Sequence, residues 1–397
     1  MNASMERRRM SAIESGAFVD RVLMLTVATL LGIGLVMVAS ASISLAERDY
    51  GGPLYFFWRQ LGAIAVGCLL GVLAFRMPLD FWRQHSQWLV IGAFALMLSV
   101  LVPGLGRTVN GSTRWLNVAG MNIVQVSEPA RLLILLYMAG YAVRHNQALR
   151  TTTQGFLRPL AVSGAGCLML LAQPDFGAAL MLMVVTLSVL FVAGARLRDF
   201  FACGAVVVCL GAIVALAAPY RVVRLTSFLN PWGDPYNTGF QLTQSLIAIG
   251  TGEWTGLGLG GSVQKLFYLP EAHTDFVFAV IAEEFGLVGA VLLVALFGVL
   301  AWRAFMIARE AAVQERWFAA AFAFGFASWQ AAQVFVNLGV NMGILPTKGL
   351  TLPLVSYGRS SIVVTLVGIA LLLRVDFENR FGEGATRRRP LAQWRGA

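Results

Sequence analysis

The feature that most limits the fold of this chain is its succession of long apolar runs. They lie near residues 22–43, 56–75, 87–103, 128–143, 159–172, 176–194, 200–219, 275–302, 317–341 and 353–374. A helix crosses a bilayer with about 20 consecutive apolar residues, because every backbone polar group must be satisfied within the segment. Only 13% of the residues are charged, against about 25% in ordinary soluble domains. A transmembrane β-barrel is excluded, since its strands read as alternating segments of about ten residues. The expected fold is all-α, a polytopic membrane protein with about ten spans.

The formal charge of +10 comes mostly from arginine. In a soluble chain that balance would raise nucleic acid as a partner. Here the arginines sit between apolar runs and report topology instead. Arg7, Arg8, Arg9, Arg76, Arg83, Arg144, Arg150, Arg158, Arg196, Arg198, Arg303, Arg309, Arg316 and the tail Arg387, Arg388 and Arg389 all fall on one side if the N-terminus is cytoplasmic. Both termini are then cytoplasmic. Residues 1–21 form a basic tail, 22–374 the membrane domain and 375–397 a second basic tail that contacts anionic lipid. The first run exceeds the 7–15 residues of a signal-peptide core and is expected to be retained. Cys68, Cys167, Cys203 and Cys209 have no zinc or redox spacing and are expected to be buried packing residues.

The loops assigned outside, near 104–127 and 220–274, hold the unusual sequence. The longer one is rich in Gly, Pro and Trp, and a short interfacial helix is expected over Gln241–Ile249. Its GLGLGG has glycines but no strand-and-helix context, so a nucleotide loop is set aside. The loop ends in LPEAHTDF, with Glu271, His273 and Asp275 at the mouth of the eighth run and Glu283 and Glu284 inside it. Intramembrane ionisable groups mark candidate functional sites. On a regular helix Glu283 lies about 12 Å deeper than Asp275 and roughly 80° round, with Glu284 roughly opposite Asp275. Glu283 is then a candidate floor for a site that Asp275 faces, and Glu284 a partner for another helix. Asp275 suits a helix N-cap, a catalytic carboxylate, or both.

Arg59, Glu128, Arg131 and Asp175 are expected at the same outer level, with Lys265 and Lys348 adding cations. Each alone fits a snorkelling interfacial residue. Together they suit an anionic, oxygen-rich substrate: cations for phosphate, and a carboxylate as base or as ligand to a divalent metal. Gln241, Glu271 and His273 join them as candidate substrate contacts.

The stretches FLNPWGDPYNTGFQLTQSLIAIGTGEWTGLGLGGSVQKLFYLPEAHTDF and LPTKGLTLPLVSYGRSS, supported by QPDFG and STRW, resemble the SEDS family of bacterial cell-wall proteins. The resemblance runs from about Asp20 to Arg380 and favours the division branch over the elongation branch. It implies a peptidoglycan glycosyltransferase that polymerises lipid II at the division septum, on the outer face of the cytoplasmic (inner) membrane. Inverting transfer with undecaprenyl pyrophosphate leaving is implied, and a divalent cation, Mg²⁺ or Mn²⁺, is a possible cofactor, with Asp275 as its ligand. The family's essential aspartate falls on Asp275. The acidic and basic positions of its QPSE-x-x-K motif fall on Glu128 and Arg131, in a segment that here reads VSEPAR. The aspartate after its Gln-Pro pair falls on Asp175, and Arg359 replaces a glycine of its SYGGS. The implied partners are a septal class B penicillin-binding protein, seated near the eighth and ninth spans, and other divisome membrane proteins. The rival readings are a lipid II translocase and a scaffold that only recruits a partner. A translocase needs a polar path to the inner side, whereas the polar residues here crowd toward the outer face.

Overall fold

The computed structural model describes residues 19–109, 112–118, 121–216, 228–347 and 349–382. Each expected apolar run falls on one helix. The long ones are α1 (Arg21–Tyr50), α2 (Tyr55–Arg76), α3 (Leu79–Ser99), α4 (Ser127–Arg144), α6 (Thr153–Ala172), α7 (Phe176–Val192), α8 (Leu197–Leu216), α10 (Val277–Val313), α11 (Trp317–Asn341) and α12 (Arg359–Phe381). Six of them, α1, α2, α6, α10, α11 and α12, are long and apolar enough to cross a membrane unaided. Short helices α5 (Asn146–Thr151) and α9 (Phe240–Thr251) lie between them, and α9 covers the expected interfacial segment. The tenth run differs most. Its helix begins at Arg359 rather than 353 and continues to Phe381, so residues 375–381 belong to the bundle and not to a tail.

Helix ends follow local chemistry. Asp20 accepts from the Leu23 amide at 2.8 Å and caps α1, and Thr152 does the same for α6 through Gly155. Such caps satisfy amides that have no partner inside the helix. Within the bundle α2 packs on α12, α10 on α11, α3 on α4, and α7 between α6 and α11. Close approach of α2 to α12 depends on Gly67, where a Cβ would come within 2.7 Å of Leu366. Small residues allow this where apolar lipid supplies no hydrophobic drive.

The chain is not purely helical. Residues of the 104–127 loop form a three-stranded antiparallel sheet, β1 (Gly106–Val109), β2 (Ser112–Val118) and β3 (Met121–Gln125), in the order β1-β2-β3. No long alternating run announces these strands. Tertiary bonds fix them: Ser112 donates to the Gln173 carbonyl at 2.5 Å, and the Gln125 amide donates to Ser360 Oγ at 2.8 Å. Cys68 and Cys209 are exposed, not buried, while Cys167 and Cys203 are half-buried. On a lipid-facing helix a thiol is as well accommodated as in a core, because both surroundings are apolar.

The eighth run is broken. Gly286 has φ 64° and ψ −164° inside α10, a region open essentially to glycine alone. The break frees backbone groups, and the glycine-rich segment 253–258 takes them up. The amides of Leu257 and Gly258 donate to the carbonyls of Glu283 and Glu284 at 3.0 and 2.9 Å. In return the amides of Leu287 and Val288 donate to Glu253 and Trp254 at 2.8 and 3.2 Å. Non-helical backbone at membrane depth is tolerated only when protein re-satisfies it in this way. Gly256, at φ 79°, lets the strap approach: a Cβ there would lie 2.2 Å from the Glu284 carbonyl oxygen. GLGLGG is thus part of a strap over a helix break.

At the end of the bundle remote from the sheet, ion pairs lie along α12 and between helix ends. Within α12, Arg374 meets Glu378 at 2.7 Å and Arg380 meets Asp376 at 2.9 Å. Arg316 also pairs with Glu378, and Arg303 with Asp20.

Gly286→Ala is expected to destabilise the protein by about 1–3 kcal/mol from backbone strain alone, and further because the new Cβ would sit 2.5 Å from strap backbone. The check is thermal unfolding of the detergent-solubilised protein, with a Gly→Ala change at the open position Gly298 as the control.

Candidate active site at the sheet end of the bundle

Asp275 sits in a tight turn two residues ahead of α10. The turn closes on Glu271, whose φ is 56° and whose carbonyl accepts the Thr274 and Asp275 amides, both at 3.1 Å. Asp275 does not cap α10 with its side chain. Its carbonyl is held instead, by Asn337 at 2.9 Å and Asn341 at 3.0 Å. Its carboxylate accepts no hydrogen bond among the described residues and abuts Gly349, where a Cβ would meet Oδ2 at 3.0 Å. The half-buried carboxyl is pushed up to about 7, first by desolvation and then by the charge of Glu271, with Arg114 opposing.

Glu271 is exposed and accepts from Thr274 Oγ1 at 2.8 Å. His273 is buried between aromatic rings, its centroid 4.8 Å from Phe56 and 5.6 Å from Tyr357. Its carbonyl receives the Tyr357 amide at 2.9 Å. Burial lowers its pKa against the pull of Glu271, so the ring packs as a neutral group. Arg59 lies over Tyr55 at 4.6 Å, and its charge acts on the half-buried Tyr357 hydroxyl. His273 and Arg59 therefore build the wall that carries the Asp275 turn.

A second group of charges lies where α4, α7 and β2 meet. Arg131 reaches Glu128 at 3.5 Å and Gln333 at 3.4 Å, and stacks on Trp329 at 4.7 Å. Asp175 caps α7 by accepting from the Ala178 amide at 3.0 Å. Its other oxygen lies 3.9 Å from the Arg114 guanidinium. Buried Glu128 Oε2, Arg131 Nε, Asp175 Oδ2 and Arg114 Nε have no hydrogen-bond partner among the described residues. Unpaired buried polar atoms at one place mark where water or a polar ligand belongs.

Arg114 links the two groups, since its charge acts on Asp275 and its guanidinium faces Asp175. The sequence reading missed it. The available signal was an arginine in STRW, on the side where loops carry few of them.

Lys265 is engaged elsewhere. Its ammonium meets Glu284 at 2.6 Å and Ser40 at 2.9 Å, and Ser40 in turn donates to Glu284 at 2.8 Å. Glu284 thus binds another helix, α1, as well as the strap. Glu283 does not line a floor. It accepts from Ser262 at 2.5 Å and from the Val263 amide at 2.9 Å, so the loop that follows the strap takes up its carboxylate. Gln241 is exposed at the start of α9, and Lys348 lies outside the described residues. Among the described residues no three His, Cys, Asp or Glu side chains converge on a metal position. Asp275 offers a divalent cation one carboxylate, which does not make a resident metal site.

Residues 21–381 match the family model described as cell cycle protein, for FtsW, RodA and SpoVE. A relative from Thioalkalivibrio sulfidiphilus, named probable peptidoglycan glycosyltransferase FtsW, is 54% identical over 359 residues, 90% of this chain and 90% of that protein. One of the same name from Legionella pneumophila is 48% identical over 362 residues, 91% of this chain and 92% of that protein. Among solved structures, the rod shape determining protein RodA of Thermus thermophilus superposes with a TM-score of 0.65 at 30% identity, over 91% of this chain and 97% of that one. A chain from a study of how a peptidoglycan synthase complex coordinates polymerization and crosslinking gives 0.73 at 30% identity, over 91% and 98%.

Two outcomes are expected. Lys265→Met strands the buried Glu284 carboxylate and lowers stability by about 3–5 kcal/mol; adding Glu284→Gln recovers most of the loss, read by thermal unfolding of both variants. Between pH about 4 and about 7 native Asp275 holds a proton that the unfolded chain has released, so its contribution to stability falls as pH rises. Asp275→Asn is therefore expected to raise the melting temperature more at pH 8 than at pH 5.

Proposed function

Because the chain belongs to the SEDS family of FtsW, RodA and SpoVE cell cycle proteins, we propose that it is a peptidoglycan glycosyltransferase that polymerises lipid II. The observation that carries this reading is Asp275, a half-buried carboxyl pushed up to about 7 beside an arginine at the bundle's outer end. General bases work best when their pKa lies near the working pH.

In this reading the 4-hydroxyl of one GlcNAc attacks C1 of the MurNAc in the growing chain. Its proton passes to the Asp275 carboxylate as the C1–O4 bond forms. The C1–O bond to phosphate breaks, and undecaprenyl diphosphate leaves with the electron pair. An α-linked donor then gives a β-1,4 product with inversion and no covalent sugar–enzyme intermediate. The diphosphate gathers charge as it leaves, and Arg114, with Arg131 behind it, supplies fixed positive charge on that side. Glu128 and Asp175 keep these guanidiniums in place and offer acceptors to sugar hydroxyls. Glu271 and Gln241, both exposed, and Lys348 are the proposed outer contacts of the lipid-linked sugar. A divalent cation that takes part arrives with the diphosphate.

The chain is a multi-pass membrane protein. Identity near 50% to relatives named FtsW, against 30% to RodA, supports a role in division and a place in the cytoplasmic membrane at the septum. The likeness to a chain of a peptidoglycan synthase complex supports a class B penicillin-binding protein as partner.

The test is lipid II polymerisation by the purified protein with that partner. Asp275→Ala, at equal folding, is expected to lose at least about 100-fold in rate. Wild-type kcat/KM is expected to rise with pH to a plateau above about 7, as Asp275 loses its proton. Equal polymer from both proteins removes Asp275 from the chemistry. No polymer from either, with lipid II scrambling in liposomes, makes the chain a translocase.

A further inference from the structure

α11 carries a row of polar side chains through the apolar core: Trp329, Gln333, Asn337 and Asn341, spaced four residues apart on one helix face. All four are buried. Uncharged amides inside a membrane helix are tolerated when hydrogen-bonded, and here each of the three amides sends at least one bond to a part of the site. Gln333 accepts from Trp329 Nε1 at 2.8 Å and from Arg131 at 3.4 Å, and donates to the Thr351 carbonyl at 2.9 Å. Asn337 donates to the Leu350 carbonyl at 2.6 Å and to the Asp275 carbonyl at 2.9 Å. Asn341 donates to the Asp275 carbonyl at 3.0 Å and accepts from the Ala279 amide at 3.3 Å. Ser245 of α9 donates to the Asn341 carbonyl at 2.9 Å.

We propose that Asn337 is a positioning residue for the transfer reaction. Its single carboxamide ties the Asp275 peptide to the Leu350 peptide and so sets the Asp275 carboxylate against Gly349, with Asn341 as its support. The inference rests on the reading of Asp275 as the base. The geometry is specific. The carboxylate has no hydrogen bond of its own among the described residues, so its direction depends on its backbone and on the Gly349 edge. Asn337 and Asn341 fix the first, and Asn337 fixes the second through the residue after Gly349. Gln333 continues the row to Arg131, so one helix face of about 18 Å registers the acid turn against the Glu128–Arg131 pair. Reacting groups need placement to about 0.5 Å, which rigid supporting bonds provide.

The experiment measures lipid II polymerisation by the full chain with its penicillin-binding partner, as turnover per folded molecule, KM and pH–rate profile. Asn337→Ala is expected to lower kcat about 100-fold, the effect of a misplacement near 1 Å. KM for lipid II is expected to stay within about twofold, as for an interaction that acts on the transition state. The acid limb of the profile is expected to move to lower pH, because water entering a loosened turn relieves the desolvation of Asp275. Asn337→Gln, which restores a donor, is expected to recover part of kcat. Should Asn337→Ala fail to fold, Asn341→Ala, which keeps the Leu350 bond, is expected to show a smaller fall with the same shift of the limb. Lowered melting temperatures with wild-type turnover per folded molecule and an unmoved limb overturn the proposal. An inactive wild type overturns the enzyme reading itself, and this one with it.

Discussion

The rest of the site depends on an exchange of backbone hydrogen bonds at the break in α10. A helix interrupted in an apolar medium exposes amides and carbonyls that water cannot reach. The strap at 253–258 answers them on both sides of Gly286. Once the strap is held there, the loop that follows it is committed. Ser262 and Val263 bind Glu283, Lys265 binds Glu284, and the chain returns to the Asp275 turn at the head of the same helix. Two carboxylates that are expensive in hydrocarbon are thereby satisfied by the segment that needs anchoring.

This division of labour explains why acids so close in sequence behave differently. Glu283 and Glu284 are fully engaged and structural. Asp275 accepts no hydrogen bond on its half-buried carboxylate among the described residues, while its backbone is held by amides of α11. An acid free to change protonation on a rigid backbone is what general-base chemistry requires. The arginines show the same split. Arg131 is buried by stacking and an ion pair, whereas Arg114 keeps some exposure, lies 3.9 Å from Asp175 and acts on Asp275 through its charge.

Much of the scaffold is legible along the chain because membrane helices carry a local signal: a run of apolar residues of sufficient length needs no distant partner to declare itself. The LPEAHTDF turn and the Glu128–Arg131 pair stand out for the related reason that charges are scarce there. What escaped is non-local. The strands at 106–125 have no alternating pattern strong enough to announce them, and Ser112 and Gln125 are fixed by Gln173 and Ser360 from distant segments. The regular-helix geometry for Glu283 fails because Asp275 lies in a turn ahead of the helix, which starts at Val277, and because Ser262 and Val263 of the loop claim the Glu283 carboxylate. Lys265, a reasonable substrate cation by sequence, is taken by a carboxylate 19 residues away.

The sequence by itself determined the solvent this protein folds in, the positions of its helices, the cluster of acids ahead of the eighth run and its family, since each is a property of local composition or of a motif. The tertiary structure decided which of those acids are taken up by hydrogen bonds and ion pairs, which cations are tied to carboxylates, and how α11 ties the Asp275 turn to the Gly349 edge. These depend on which buried polar groups find partners, and such pairing is settled between segments tens to hundreds of residues apart.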